Sequence, residues 1–496
     1  MYRYTPASRQ GGGDNALDQV FGSLDKSNWQ NDDGGYDLTR QSWFGRVTYD
    51  YDTRYLFEAN FRADASSRFP KDNRWGYFPA VSAAWRISQE SFMEGTRDWL
   101  NQLKIRAGWG RTGNEELGDD YYPGIASYSY YTLAIGPNQY SALYESRYVN
   151  SMLKWATVTN WELGVEASMF GNRLTFEGSV YKKKTTDMLL NLPILQVLGV
   201  SAPAQNAGTV ENKGVDITIG HNNRINKDWS YNVTFNLGYN HNEITDLKGQ
   251  EGANPDNKLV WYLEGHPIGS YFGYMCDGIF KDEAEVEAGP LRTGKEKPGN
   301  LRFKDWAHYN EEGKVVPGAD GKVDEADRMV IGKMNPTWMG GINVGVNFRD
   351  FDFSMLWQGA FDYERYMTAE ASQAFYNNGT ATKWQERDRW CAENPNGTYP
   401  RLYENSSNSP DVQVTNSFWC EDASYVRLKN LTLGYTIPSA ITTKVGINKL
   451  RVYFNGENLL TFSSLFDKNI DPEAPQGRGA YYANVRKLSL GLKVTF

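Results

Sequence analysis

Cysteine is nearly missing from this chain: Cys276, Cys391 and Cys420 are the only three. They allow one disulfide at most and none stands at metal-ligand spacing, so no disulfide framework organises the fold. Histidine is almost as scarce, with His221, His241, His266 and His308 and no H-E-x-x-H pair among them. A G-x-S-x-G nucleophile elbow and a P-loop are also missing, and the plentiful carboxylates single out no glycosidase pair. The reading is of a non-enzyme with no cofactor beyond the calcium considered below. No run comes near the ~18 apolar residues of a membrane helix. That excludes helical spans only, because barrel strands leave a far weaker hydropathy trace. The opening Met1-Tyr2-Arg3-Tyr4-Thr5-Pro6 lacks the apolar core of a signal peptide. For a protein outside the cytoplasm, the expectation is that the true amino terminus is missing. Basic residues do not predominate either: 52 Lys and Arg against 60 Asp and Glu give a net charge of -8. That argues against a nucleic-acid partner.

What is abundant is Tyr (32), Trp (16) and Gly (48), in 496 residues. This suits a β protein with many tight turns, and equally the aromatic girdles of a membrane interface. The length fits three or four soluble domains or one large barrel. The carboxy-terminal stretch Arg486 to Phe496 shows the pattern most clearly. Leu488, Leu490, Leu492, Val494 and Phe496 share one face, while Lys487, Ser489, Gly491, Lys493 and Thr495 share the other. Such alternation is one strand with an apolar and a polar side. Twelve similar strands precede it, at 41–52, 54–64, 77–88, 101–112, 158–169, 172–185, 211–222, 228–240, 337–348, 351–362, 424–436 and 448–457. Most have ten to fourteen residues, longer than the five or six of globular strands and close to what a tilted bilayer crossing needs. A change of phase near Asn430 predicts a bulge.

The connections alternate. Tight turns are expected at Asp52-Thr53, Gly171-Asn172, Asn222-Asn223 and Arg349-Asp350, and modest links at 89–100 and 437–447. Long segments fall at 113–157, 186–210, 241–336, 363–423 and 458–485. Short turns at one end and long loops at the other are the asymmetry of outer-membrane barrels. Residues 1–40 are polar, glycine-rich loop, and 41–496 are barrel. The first and last strands then run the same way, whereas a complete bacterial barrel has an even strand count. The expectation is an amino-terminally truncated barrel, whose free first strand is an aggregation hazard.

Several motifs resemble those of one family. They are Arg62-Ala63-Asp64-Ala65-Ser66-Ser67-Arg68-Phe69, Trp75-Gly76-Tyr77-Phe78-Pro79-Ala80-Val81-Ser82 with Ala84-Trp85-Arg86, and Leu103-Lys104-Ile105-Arg106-Ala107-Gly108-Trp109-Gly110. Further on come Trp161-Glu162-Leu163-Gly164, Asn212-Lys213-Gly214, Asp277-Gly278-Ile279-Phe280, the run Tyr425-Val426-Arg427-Leu428-Lys429-Asn430-Leu431, and Asn455-Gly456-Glu457-Asn458-Leu459. In this order they resemble SusC/RagA-type TonB-dependent transporters. The resemblance implies an all-β fold, a 22-stranded transmembrane antiparallel β-barrel plugged by an amino-terminal domain, from which this chain departs as a partial barrel with about 13 strands visible and the plug domain absent. It also implies the outer membrane of a Bacteroidota-like Gram-negative bacterium, uptake of oligosaccharides or peptides, a SusD-like surface lipoprotein as lid, and the TonB complex engaging the missing amino-terminal part. The alternative is a surface or soluble glycan-binding β protein without transport. A continuous outward apolar belt bounded by Trp and Tyr would decide for the membrane.

Three features are candidate sites. Asp320, Asp324 and Asp327 alternate around Gly321 and could hold calcium, although the spacing of a continuous calcium loop is broken. Tyr128, Tyr130 and Tyr131 could stack on a sugar, or serve an interface. Lys182-Lys183-Lys184 stands where a strand leaves the membrane, and could meet lipopolysaccharide phosphates or simply be a solvated strand end. No ligand-contacting residue is singled out.

Overall fold

The computed structural model describes residues 37–496 except 119, 148, 192–196, 198–202, 250–251, 254–258, 405–408, 475–476, 479–480 and 483. Its frame is one 13-stranded antiparallel sheet in which every strand pairs with its sequence neighbours among these thirteen. The strands are β1 (Arg40–Tyr51), β2 (Tyr55–Ser66), β3 (Trp75–Arg86), β4 (Leu100–Asn114), β5 (Ala156–Met169), β6 (Leu174–Thr186) and β7 (Thr209–Arg224). They continue as β8 (Trp229–Asp246), β9 (Trp338–Phe348), β10 (Phe351–Phe361), β11 (Tyr425–Ile437), β12 (Lys449–Ser463) and β13 (Lys487–Thr495). All thirteen expected strands form. Most of the expected segment 1–40 lies outside the described residues.

The register decides what faces where. One row across ten strands runs Tyr49, Phe57, Ala83, Ala107, Leu163, Val180, Val215, Tyr239, Trp338, Phe361. Every residue in it is apolar or aromatic, and Leu163 and Val180 are about half exposed, at 50% and 48%. The adjacent row on the opposite face reads Thr48, Glu58, Ser82, Gly108, Glu162, Tyr181, Gly214, Asn240. Aromatic pairs close the apolar belt at both margins. Tyr55 stacks with Trp85 and Trp229 meets Phe348 at the turn end, while Phe61 stacks with Tyr77 and Tyr239 meets Trp338 at the loop end. An exposed apolar belt between aromatic girdles, with a polar inner face, is the pattern of a membrane-spanning barrel. A soluble sandwich would cover that face with a second layer.

Turn chemistry follows the sequence with one correction. Asp52 and Thr53 both adopt positive φ (52° and 54°), as a two-residue hairpin turn requires. The turn expected over 223–227 forms at 225–228, but Asn222 and Asn223, on which it was expected to be built, are extended and paired with Asn232 and Tyr231. The chain instead reverses just beyond them, where the Asn226 side chain accepts from the Asp228 and Trp229 amides at 2.8 and 3.0 Å. An Asn pair is only a local signal, and the cross-strand ladder outweighed it. The expected bulge is present: β11 skips Lys429 against both neighbours.

The turn-end connections are 52–54, 87–99, 170–173, 225–228, 349–350 and 438–448, and those at the other end are 67–74, 115–155, 187–208, 247–337, 362–424 and 464–486. The alternation holds except that 67–74 is shorter than 87–99. Within the described residues the sheet is open: β1 pairs only with β2 and β13 only with β12.

Candidate functional site

The inner wall and the loop end above it carry the polar chemistry. On the inner wall, charged side chains form cross-strand ladders. Lys104 pairs with Glu166 at 2.6 Å, and Arg106 reaches Glu162, Glu166 and Glu177 from the next position on the same face. Farther round, Asn212 accepts from Asn240 and Asn242 (3.3 and 2.8 Å), and Tyr181 donates to Asn240 (3.2 Å). Asp352 pairs with Arg451 across the non-adjacent strands β10 and β12. Such a wall suits water or polar ligands and would be costly against lipid.

Three of the long loops fuse into one body. Its core gathers Tyr271 from 247–337, then Tyr363, Tyr366, Met367, Ala371, Tyr399, Trp419 and Ala423 from 362–424, and Leu465 from 464–486. Polar ties join the same segments. The Tyr274 amide donates to the Thr415 carbonyl (2.9 Å), and the Cys276 amide donates to Ser417 Oγ (2.8 Å). Buried Asp411 accepts from the Asn300 amide and the Leu301 N–H, both at 3.0 Å. Burial pushes the Asp411 carboxyl up to about 7. Burial raises Glu421 to about 7 as well, and that group accepts the Phe466 amide at 2.9 Å. Gly477 sits so close to 362–424 that a Cβ there would collide with the Tyr366 carbonyl oxygen.

The loop body is anchored to the sheet by residues whose role the sequence did not disclose. Arg427 is only 3% exposed and engages Asp471 and Glu473, both in 464–486. Lys429, pushed out by the bulge, joins Glu473 at 2.8 Å, and Tyr425 donates to the same carboxylate at 2.7 Å. Alternating strand residues at 425, 427 and 429 therefore act together. The spacing was visible, but partners some 44 to 48 positions away in an irregular loop were not.

The sequence candidates land variously. Asp327 is fully buried and spends its carboxylate on the Trp306, Ala307 and Asp324 amides (2.8, 3.1 and 2.9 Å). Asp324 caps the Ala326 amide at 2.8 Å, and Asp320 accepts from the Lys322 amide at 2.9 Å. Among the described residues no group of three or more His, Cys, Asp and Glu is placed to hold a metal ion. All three cysteines are free. Tyr128, Tyr130 and Tyr131 lie on a hairpin inside 115–155, Ser127–Ile135 paired with Asn138–Arg147, that the sequence reading left as loop. Tyr128 and Tyr131 are exposed.

Known proteins agree with this architecture. The family described as TonB dependent receptor-like, beta-barrel matches residues 2–459. TonB-dependent receptors P26 and P3 of Formosa agariphila are 32% and 30% identical, over 92% of this chain and 46% and 45% of the relatives. TonB-dependent receptor SusC of Bacteroides thetaiotaomicron is 28% identical over 92% of this chain and 44% of its own. Among solved structures, the RagAB peptide transporter superposes with a TM-score of 0.77 at 24% identity, covering 96% of this chain and 49% of that one. The chain spans about half the length of the curated relatives it matches. With its apolar belt, polar inner wall and loop-bearing end, this chain belongs to the β-barrel family of TonB-dependent receptors, in the outer membrane.

Proposed function

We propose that this chain forms the carboxy-terminal barrel wall and the ligand-facing loop body of a transporter that imports oligosaccharides or peptides. A SusD-like surface lipoprotein would close over the loop end, and the TonB complex would act on the rest of the transporter. The observation that carries this reading is the fusion of 247–337, 362–424 and 464–486 around one core at a single end of the sheet. A rigid polar-rimmed body there can hold a ligand and a lid in fixed geometry, which independent loops would do only at an entropic cost. The RagAB neighbour, named a peptide transporter, supports the peptide class, and the oligosaccharide class rests on the resemblance of the motifs.

The test uses the whole transporter in its own outer membrane, with labelled oligosaccharide and peptide pools. Loosening the loop body by Arg427→Ala should cut uptake of one pool by at least about tenfold and release the co-purifying lipoprotein, while the barrel remains folded. Unchanged uptake together with a retained lipoprotein would remove the loop body from the import path. The rival glycan-binding reading needs a layer over the outward face, and no described residues cover the exposed row through Leu163 and Val180.

A further inference from the structure

Lys182-Lys183-Lys184 is divided by the strand pleat, and the division exposes a surface the sequence conceals. Lys182 aligns with outward Trp161 and with Lys213, and Lys184 aligns with Thr159 and Glu211. All of these share the lipid-side face of the sheet. Lys183 falls between them on the inner face, its ammonium 5.0 Å from the Tyr181 ring centroid. On β4 the same outward row continues to Arg111, which aligns with Thr159 and lies over the Trp109 ring at 5.8 Å. Three of the four strands β4–β7 thus present Arg111, Lys182, Lys184 and Lys213 near one another on the outside of the barrel.

Their position relative to the apolar belt is what gives this strip a partner. Arg111 and Lys184 stand one step outward of the register row that holds Trp109, Trp161, Lys182 and Lys213, whose tryptophans belong to the loop-end margin. Leu163 and Val180 follow one step farther in. Cations within and just beyond an interfacial Trp row stand at headgroup depth, with their stems lying over apolar surface. Their own neutralisation is incomplete. Among the described residues Glu211 is the one carboxylate at ion-pair distance from the three lysines, 2.9 Å from Lys182, 3.3 Å from Lys213 and 3.9 Å from Lys184, and Asp246 also feels the Lys184 charge. Arg111 pairs with no carboxylate among the described residues. The remaining acids of the strip are occupied, Glu243 beside His241 at 3.6 Å and Asp246 beside Lys248 at 3.5 Å. The lysine side chains are 40–52% exposed while Glu211 is 12% exposed, so the positive groups are outermost.

We propose that this strip on β4–β7 binds the phosphate groups of an anionic membrane lipid in the leaflet on the loop side. Several cations in two adjacent rows, beside tryptophans and with acyl chains below, match a headgroup whose phosphate is fixed at that level by its own chains. A free phosphate ion would satisfy only the charge.

The whole transporter, purified in detergent, is offered a phosphorylated glycolipid of the lipid A type, the same glycolipid stripped of phosphate, or inorganic phosphate. Native mass spectrometry counts the glycolipid retained, and the mobility of unheated protein in gels confirms that each variant is folded. The wild type should retain the phosphorylated form over the stripped form by at least about tenfold, and the triple variant Lys182→Gln, Lys184→Gln, Lys213→Gln should lose that preference. Lys183→Gln, in the same run on the opposite face, should retain lipid like the wild type. Glu211→Gln, which removes a competing carboxylate, should retain more. The proposal is overturned if the triple variant holds phosphorylated glycolipid like the wild type, if stripped glycolipid is held equally, or if Lys183→Gln loses as much as the triple variant. Displacement of the glycolipid by equimolar inorganic phosphate would make the strip an ion site and also overturn it.

Discussion

The long segments at the loop end of the sheet fall into two different kinds of structure. The hairpin Ser127–Ile135/Asn138–Arg147 projects with Tyr128, Tyr131, Leu133 and Leu143 exposed, and none of its described residues enters a buried core. The segments 247–337, 362–424 and 464–486 pack around Trp419, Tyr399 and Met367 and are tied to β11 through Arg427. The difference lies not in length or polarity but in whether backbone amides and charges find partners in another loop. A segment that pairs only with itself opens locally at little cost, whereas one sharing a core must open together with its neighbours.

The strongest way to break this contrast is Arg427→Ala. It leaves Asp471 and Glu473 without their buried partner, which should destabilise the anchoring of 464–486 by about 3–5 kcal/mol. Amide hydrogen exchange in 464–474 should then approach that of the hairpin; unchanged protection would mean that the ion cluster is not the anchor. Trp419→Ala empties the centre of the loop core, where the ring meets Phe418 and Tyr399 edge-on, and should cost roughly 3–5 kcal/mol. Limited proteolysis of 362–424 reads that loss, and resistance equal to the wild type would contradict a shared core. Gly477→Ala adds a Cβ against the Tyr366 carbonyl and should cost about 1–3 kcal/mol. Faster exchange at the Thr368 amide, which donates to the Gly477 carbonyl at 3.1 Å, is the readout.

A smaller, sharper effect concerns acidity. Burial raises Asp411 and Glu421 to about 7, above the ordinary carboxylate range. The folded loop body therefore binds protons that the unfolded segments release, and its stability should fall as pH rises from about 4 to about 7. Protease resistance of 362–424 at pH 5 should exceed that at pH 8, and Asp411→Asn with Glu421→Gln should flatten the difference. The hairpin should show no such dependence. Shortening 127–147 to a tight turn should change the thermal stability of the rest by no more than about 0.5 kcal/mol, since no described core residue is lost. A larger loss would show that the hairpin is packed after all.

Strand positions and faces followed from the residues alone, because a period-two alternation over ten or more positions sorts each strand into two faces, and a one-residue slip would turn Leu163, Val180 or Val215 to the wrong side. The bulge at Lys429 was visible as a broken phase for the same reason. The turn at Asn222-Asn223 was misplaced because an Asn pair suits both a turn and a strand end, and only pairing with Tyr231 and Asn232 distinguishes them.

What the sequence determined by itself was the sheet: thirteen strands, their order, the lipid-side and inner faces, and the family motifs that ride on them. Tertiary structure alone decided the loop body, the role of Arg427, and the gathering of Arg111, Lys182, Lys184 and Lys213 into one outward strip. Alternation is a local property that each strand carries within itself, whereas a buried ion cluster or a charge strip exists only once segments distant in the chain have been brought together.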